Sequence, residues 1–242
     1  MSRPVILVTG SSRGIGAAIV EVLRARGAEV ICHGSRDYND GTVAADLSEP
    51  LGPQILWEDA LALGGGRVDV LVNNAGIFEA NPIGASDIDW LDRWEDTMRV
   101  NLTAAAALSR YAVRHWLETG AANEIRGRLV HIASRAAHRG DSPEHWHYAA
   151  SKGGLLAMHM TIARAYAAEG ILSFAIAPGF TDTAMAEDYL TSRGGPGLLA
   201  DIPLGRVAEP EEIAAIAAFC ALDAPPSMTG AVIDANGASY VR

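Results

Sequence analysis

Short β-branched apolar runs alternate with longer amphipathic stretches along the whole chain. No other feature limits the fold as strongly. Val5 to Thr9, Glu29 to His33, Thr42 to Ala45, Asp69 to Asn73, Arg128 to Ala133, Leu172 to Ala177 and Ala231 to Ala235 read as strands. Ile15 to Arg26, stopped by Gly27, reads as a helix, as does Pro53 to Leu63 before Gly64-Gly65-Gly66. Asp87 to Trp116 is expected to be helical with a break near Asn101, His147 to Ala168 helical up to Gly170, and Pro210 to Leu222 helical. Strands alternating with helices call for right-handed βαβ crossovers and a parallel sheet. Near-continuous apolar strands suit a sheet covered on both faces. No linker, repeat or low-complexity segment divides the chain, so an α/β, single-domain, doubly wound fold is expected over residues 1–242.

With 242 residues, 49% of them hydrophobic, the chain can bury one substantial core. A net charge of -10 argues against nucleic acid or an anionic membrane surface as the main partner. Cys32 and Cys220 stand far apart, belong to no ligand-spaced cluster, and read as ordinary thiols of a reducing compartment. No apolar run is long enough to span a bilayer, and Met1-Ser2-Arg3-Pro4 leads into a strand without a signal-peptide core. A soluble cytoplasmic protein without a metal site is the expectation.

Three patterns carry chemistry. Thr9-Gly10-Ser11-Ser12-Arg13-Gly14-Ile15-Gly16 follows the first strand and opens the first helix. Glycines there let the backbone turn tightly and approach a pyrophosphate at a helix N-terminus. Asn73-Asn74-Ala75-Gly76 closes another strand, at the edge where doubly wound sheets bind ligands, although a simple turn would read the same way. Tyr148 and Lys152 are one helical turn apart, with Ser134 upstream at a strand's carboxyl end. An ammonium near a phenol eases its ionisation, so the pair can exchange a proton with a substrate oxygen.

Together with Asp46-Leu47, Asn101, Ala177-Pro178-Gly179, Thr183, Met185 and Pro203-Leu204-Gly205-Arg206, these motifs make the chain resemble short-chain dehydrogenases/reductases. The type is similar to 3-oxoacyl-carrier-protein reductases, and the resemblance covers essentially the full length. It implies a Rossmann-type sheet of about seven strands with helices on both faces, and a nicotinamide cofactor. By position it assigns Gly10, Arg13, Gly14, Ile15 and Gly16 to the phosphates, and Asp46 and Leu47 to adenine. Asn73, Ala75 and Gly76 fall to the ribose path, and Pro178, Gly179 and Thr183 to the nicotinamide end. It implies Ser134, Tyr148, Lys152 and Asn101 as the catalytic set, with Tyr148 the acid and Lys152 also holding the nicotinamide ribose. Asn101 would interrupt its helix and anchor a relay water; its residue type also suits a helix N-cap. Relatives pair through their two long helices, so a homotetramer, or else a dimer, is implied.

The second strand ends at Gly34-Ser35-Arg36, with Asp37 later than a ribose-binding carboxylate would stand. Arg13, Ser35 and Arg36 instead suit a 2′-phosphate, which makes NADP(H) the expected cofactor and NAD(H) the lesser one. The expected activity is hydride transfer between that cofactor and the carbonyl or secondary alcohol of a small polar substrate. A cofactor-binding regulator and a dehydratase or epimerase share the fold; the intact catalytic set argues against the regulator.

The chain departs from its relatives between Ser134 and Tyr148, where the spacing is one residue long. The loop from Ala136 to His147 holds His138, Asp141, Glu144, His145, Trp146 and His147, which either bind a polar or anionic substrate or lie exposed. Glu169 stands where relatives that dock acyl carrier protein tend to be basic, which argues for a small substrate. Gly194, Gly195, Pro196 and Gly197, within Glu187 to Leu199, suggest a lid.

Overall fold

The computed structural model describes residues 3–36, 42–121, 124–183 and 195–242. Its strands are β1 (Val5–Val8), β2 (Glu29–Gly34), β3 (Val43–Ala44), β4 (Val70–Asn73), β5 (Gly127–Ile132), β6 (Ile171–Pro178) and β7 (Val232–Ala235). They form one sheet in the order β3-β2-β1-β4-β5-β6-β7. Every pairing is parallel, with Ile6 opposite both Val30 and Val70, and Val130 opposite Phe174. The order reverses between β1 and β4. That reversal splays the following loops apart and opens a crevice beyond the carboxyl ends of the strands.

The helices are α1 (Gly14–Ala25), α2 (Gly52–Leu63), α3 (Asp87–Met98), α4 (Ala104–Thr119), α5 (Ala136–Arg139), α6 (Trp146–Tyr166), α7 (Gly195–Ala200) and α8 (Pro210–Leu222). Side chains alternate along each strand, so β1 sends Ile6 and Val8 to one face and Val5 and Leu7 to the other. On the first face α1 and α8 cover Ile6, Val72, Val130 and Phe174 with Ile19, Leu23, Ile213 and Ala217. On the second, α2 and α4 cover Leu7, Leu71 and Leu129 with Leu56, Trp57, Leu108 and Trp116. A fully buried aliphatic side chain of this kind contributes about 1.5–3 kcal/mol. The Trp116 ring is held by its Nε1–H, which donates to the Val68 carbonyl at 2.6 Å.

The expected elements all form, with ends shifted by up to three residues. The break near Asn101 is a five-residue π-helical turn, Arg99–Thr103, joining α3 to α4. It is not a helix start, so Asn101 does not act as an N-cap. The loop after Ser134 contains α5, a helical turn the residue pattern did not announce. Of the expected lid, α7 covers Gly195–Ala200. Met185, Glu187 and Gly194 lie outside the described residues, as does Asp37.

Candidate active site

The glycine turn lies between β1 and α1, and its shape follows from close packing. Gly10 has φ +62°, and a Cβ on it would stand 2.8 Å from the Ala75 Cα. A Cβ on Gly16 would collide with the Gly10 carbonyl oxygen. The Gly10 N–H donates to His33 Nδ1 at 2.9 Å, and His33 Nε2 donates to the Ala45 carbonyl at 2.9 Å. This one imidazole therefore ties together the turn, the end of β2 and the segment after β3. Burial holds it below its ordinary pKa, and the neutral tautomer is the one that can accept from Gly10. Helix α1 begins after Arg13 with no side-chain cap and no acid in its first turn. Its first N–H groups and positive dipole end are left for an anion.

Thr9 joins this turn to the end of β4. Its hydroxyl accepts from the N–H groups of Asn74 (2.9 Å) and Ala75 (3.0 Å). Asn74 Nδ2 donates back to the Thr9 and Gly10 carbonyls at 2.9 and 3.0 Å. Asn74, Ala75 and Gly76 line the crevice. Asn73, expected beside them, does not. Still on the strand, its side chain turns inward, donating to Ser109 Oγ at 3.0 Å and lying 3.2 Å from His131 Nδ1. Strand alternation decides this: neighbours at a strand's end point to opposite faces.

The crevice encloses about 550 Å³. At one end its wall is formed by Gly10, Arg13, Gly14, Ile15 and Gly16, with Gly34, Ser35, Asp46 and Leu47. Arg36 lies exposed next to Ser35 and is not part of that wall. The Asp46 carboxylate accepts from the Ser48 hydroxyl and N–H, which lowers its pKa and holds it ionised. Thr183 closes over the turn: a Cβ on Gly14 would stand 3.1 Å from its methyl carbon. Uncapped N–H groups, a backbone cleared of side chains and an arginine make this end fit a dinucleotide phosphate.

At the other end the wall includes Ser134, Tyr148, Lys152, Pro178 and Gly179. Ser134 follows β5, whereas Tyr148 and Lys152 stand one turn apart at the start of α6. The Ser134 side chain acts on the Tyr148 phenol in the direction that lowers its pKa, and Ser134 Oγ accepts the Ala136 N–H at 3.1 Å. Lys152 Nζ donates to the Ile132 carbonyl at 2.8 Å and lies 5.8 Å from the Tyr148 ring centroid. Asn101 grips the segment after Gly76: its Oδ1 accepts the Ile77 N–H at 2.8 Å and its Nδ2 donates to the Ile77 carbonyl at 2.9 Å. A Cβ on Gly76 would stand 3.3 Å from Asn101 Oδ1 and 3.5 Å from Lys152 Nζ, so all three converge on this one peptide.

Burial dominates at Tyr148 and pushes its phenol up to about 12, against Ser134, which lowers it. Burial also brings Lys152 down to about 8. At neutral pH the pair is a protonated phenol beside an ammonium, the state needed to donate a proton.

The cavity also uses residues that sequence reasoning passed over: Phe78 and Glu79 after β4, Arg93, Asp96 and Thr97 of α3, and Arg135 and Phe180. Phe78 stacks on His145 at 4.0 Å between centroids and meets the Tyr148 ring edge-on at 4.7 Å. His145 and His147 are buried, and His138 stacks on Tyr240 at 5.4 Å. Apolar aromatics beside β4 and α3 are the only sequence signal for this wall, and they read equally well as core. Among the described residues no group of His, Cys, Asp and Glu suits a metal ion, and no helix is long and apolar enough to cross a membrane.

A family model described as enoyl-(acyl carrier protein) reductase matches residues 10–237. The chain is 34% identical to the 3-oxoacyl-acyl-carrier-protein reductase FabG of Salmonella typhimurium, covering 98% of this chain and 97% of the relative. It is 35% identical to nodulation protein G of a Rhizobium species, over 96% and 94% of the two chains. A crystal structure from Beutenbergia cavernae, described as a candidate NAD(P)-dependent gluconate 5-dehydrogenase with bound NADP, superposes with a TM-score of 0.85. Its sequence is 33% identical, over 98% of this chain and 96% of that one. A candidate 2-deoxy-D-gluconate 3-dehydrogenase from Agrobacterium tumefaciens, also with NADP, gives a TM-score of 0.84 at 30% identity, over 97% and 95% of the chains.

Proposed function

This chain belongs to the short-chain dehydrogenase/reductase family, and we propose that it is a single-domain oxidoreductase using NADP(H) in preference to NAD(H). It interconverts the carbonyl and secondary alcohol of a small polar substrate. The observation carrying this reading is that Ser134, Tyr148 and Lys152 share one crevice with the glycine turn. When bound, the nicotinamide supplies or accepts the hydride.

The rest is work for the chain's own residues. Tyr148, protonated at neutral pH and raised further by burial, donates its proton to the carbonyl oxygen in the reducing direction. Ser134 hydrogen-bonds that oxygen, placing it against the phenol. Ionising a free tyrosine at pH 7 costs roughly 4 kcal/mol, and Lys152⁺ offsets part of that as the proton leaves. Asn101, by holding Ile77, fixes the peptide that faces Lys152 and anchors the relay.

Gly10, Arg13, Gly14, Ile15 and Gly16 would hold the phosphates, with Asn74 alongside Ala75 and Gly76 toward the ribose. Pro178, Gly179 and Thr183 would line the nicotinamide end. The preference for NADP(H) is supported by Gly34 and Ser35 standing where a ribose-binding carboxylate would be, and by Arg13 in the wall. A carrier-protein substrate is disfavoured by Glu169, which lies 3.9 Å from Arg126 and offsets its charge. A homotetramer, or a dimer, is supported by Ile88, Leu91 and Met160, exposed on α3 and α6. A cytoplasmic location is supported by the two free thiols.

The test is a panel of ketones and alcohols assayed with NADPH, NADH and their oxidised forms. Stoichiometric change in cofactor absorbance is expected, with a lower KM for NADP(H). Turnover without such a change would remove the oxidoreductase reading, and a lower KM for NAD(H) the cofactor preference.

A further inference from the structure

His33 stands near the end of β2, is 2% exposed and lines the crevice. Two residues of the glycine turn hang on it. Its N–H donates to Ser11 Oγ at 2.8 Å, its carbonyl accepts the Ser11 N–H at 2.9 Å, and its Nδ1 accepts the Gly10 N–H at 2.9 Å. A backbone N–H can only donate, so Nδ1 is the bare nitrogen and Nε2 carries the proton given to the Ala45 carbonyl. On its other side Gly10 meets Ala75, whose Cα would stand 2.8 Å from an added Cβ. The turn is wedged between an imidazole and the segment after β4.

A neutral imidazole has one acceptor nitrogen, and protonation removes it. An imidazolium would set its own N–H against that of Gly10, in a place closed to water. The turn would have to leave β2, and the phosphate site would leave with it. Few charges surround the ring. Asp46, after β3, favours its charged form, but burial outweighs that carboxylate. Glu58 and Asp59 of α2 and Glu21 of α1 are exposed, and β1 carries no charge. Arg24 of α1 donates to Cys32 Sγ, on the opposite face of β2. Arg13, the cation of the turn, lines the crevice, and Arg36 is exposed beyond the strand.

We propose that His33 is a positioning residue for the dinucleotide, which binds only while this imidazole is uncharged. The inference rests on the reading of the glycine turn as the phosphate site. His33 takes no part in the chemistry and acts through Gly10 and Ser11.

The test is calorimetric titration of wild type, His33→Gln and His33→Leu with NADP⁺ and NAD⁺ from pH 8 to 5, with the fold followed by circular dichroism. NAD⁺ is needed because a phosphomonoester itself ionises near about pH 6. The wild type is expected to lose at least about tenfold in affinity for both nucleotides as the pH falls. His33→Gln supplies an amide oxygen and an amide N–H that do not titrate, and should bind NAD⁺ with a flat profile. His33→Leu offers neither bond and should bind at least about tenfold more weakly already at pH 8. By linkage, bound NAD⁺ should move the titration of the His33 ring to lower pH, read from its ¹⁵N resonances. A flat NAD⁺ profile in the folded wild type, an equal slope in His33→Gln, full affinity in His33→Leu, or a proton on Nδ1 at pH 8 overturns the proposal. Should His33→Gln fail to fold, the shift of the wild-type titration on adding NAD⁺ decides alone. Binding with a flat profile leaves the phosphate-site reading standing, whereas no binding of either nucleotide at any pH removes that reading itself.

Discussion

Asn101 closes a two-point grip on Ile77, accepting its N–H at 2.8 Å and donating to its carbonyl at 2.9 Å. A backbone peptide outside any strand is thereby held as if it were in a ladder. The π-helical turn exists where this amide leaves its helix axis to reach that peptide, and such turns recur at functional sites.

Asn101→Ala removes both bonds and leaves the Ile77 N–H without its acceptor. A buried donor left unsatisfied costs about 1–3 kcal/mol, so the melting temperature should fall. Turnover should fall with it, because Gly76 and Ile77 face Lys152. A variant with wild-type stability and wild-type kcat would show that the grip is dispensable.

Tyr148→Phe removes the proton donor and leaves the ring against Phe78. Turnover should nearly vanish while NADP(H) affinity survives. Retention of more than about a tenth of kcat, a loss below roughly 1.4 kcal/mol, would show that another group delivers the proton.

Lys152 gives a signed pH dependence. Its pKa falls from an ordinary 10.5 to about 8 on folding. Between those values the unfolded chain binds more protons than the folded one, so stability rises with pH through that window. Below about pH 8 the buried ammonium's penalty is fully present, on the order of 3 kcal/mol. Denaturant unfolding of the wild type and of Lys152→Met from pH 7 to 11 should show the variant's advantage shrinking as pH rises. Tyr148, raised to about 12, acts oppositely above pH 10, where the unfolded chain alone can ionise. A difference between the two proteins that stays flat across the window would contradict the burial of Lys152.

Gly10→Ala forces a side chain onto a backbone with φ +62°, 2.8 Å from the Ala75 Cα. The turn and the end of β4 must separate, which breaks the Thr9 and Asn74 bonds that join them. NADP(H) binding, followed by calorimetry, should weaken by at least about tenfold. Unchanged affinity would place the phosphates elsewhere.

The glycine turn and the Tyr148–Lys152 spacing were legible because they depend on local backbone geometry. A tight turn demands glycine, and one helical turn brings residues four apart together wherever the helix sits. Asn73 and Asn74 were not separable in the same way. Which of the two enters the crevice depends on the residue at which β4 ends, and pairing with β5 sets that limit. His145 and His147 were equally undecided, because the rings stacked on them include Phe78 and Trp94, distant in the chain.

By itself the sequence determined the order of strands and helices, the class of fold, the glycine turn after the first strand and the spacing of Ser134, Tyr148 and Lys152, the trio proposed for catalysis. These follow from periodicity, residue conformational freedom and recognisable spacing, all short-range. Only the tertiary structure decided that burial raises the Tyr148 phenol, that Asn101 holds Ile77, and that Arg135 is buried. Burial and charge at a point depend on every segment packed around it, and those segments meet only when the sheet has formed.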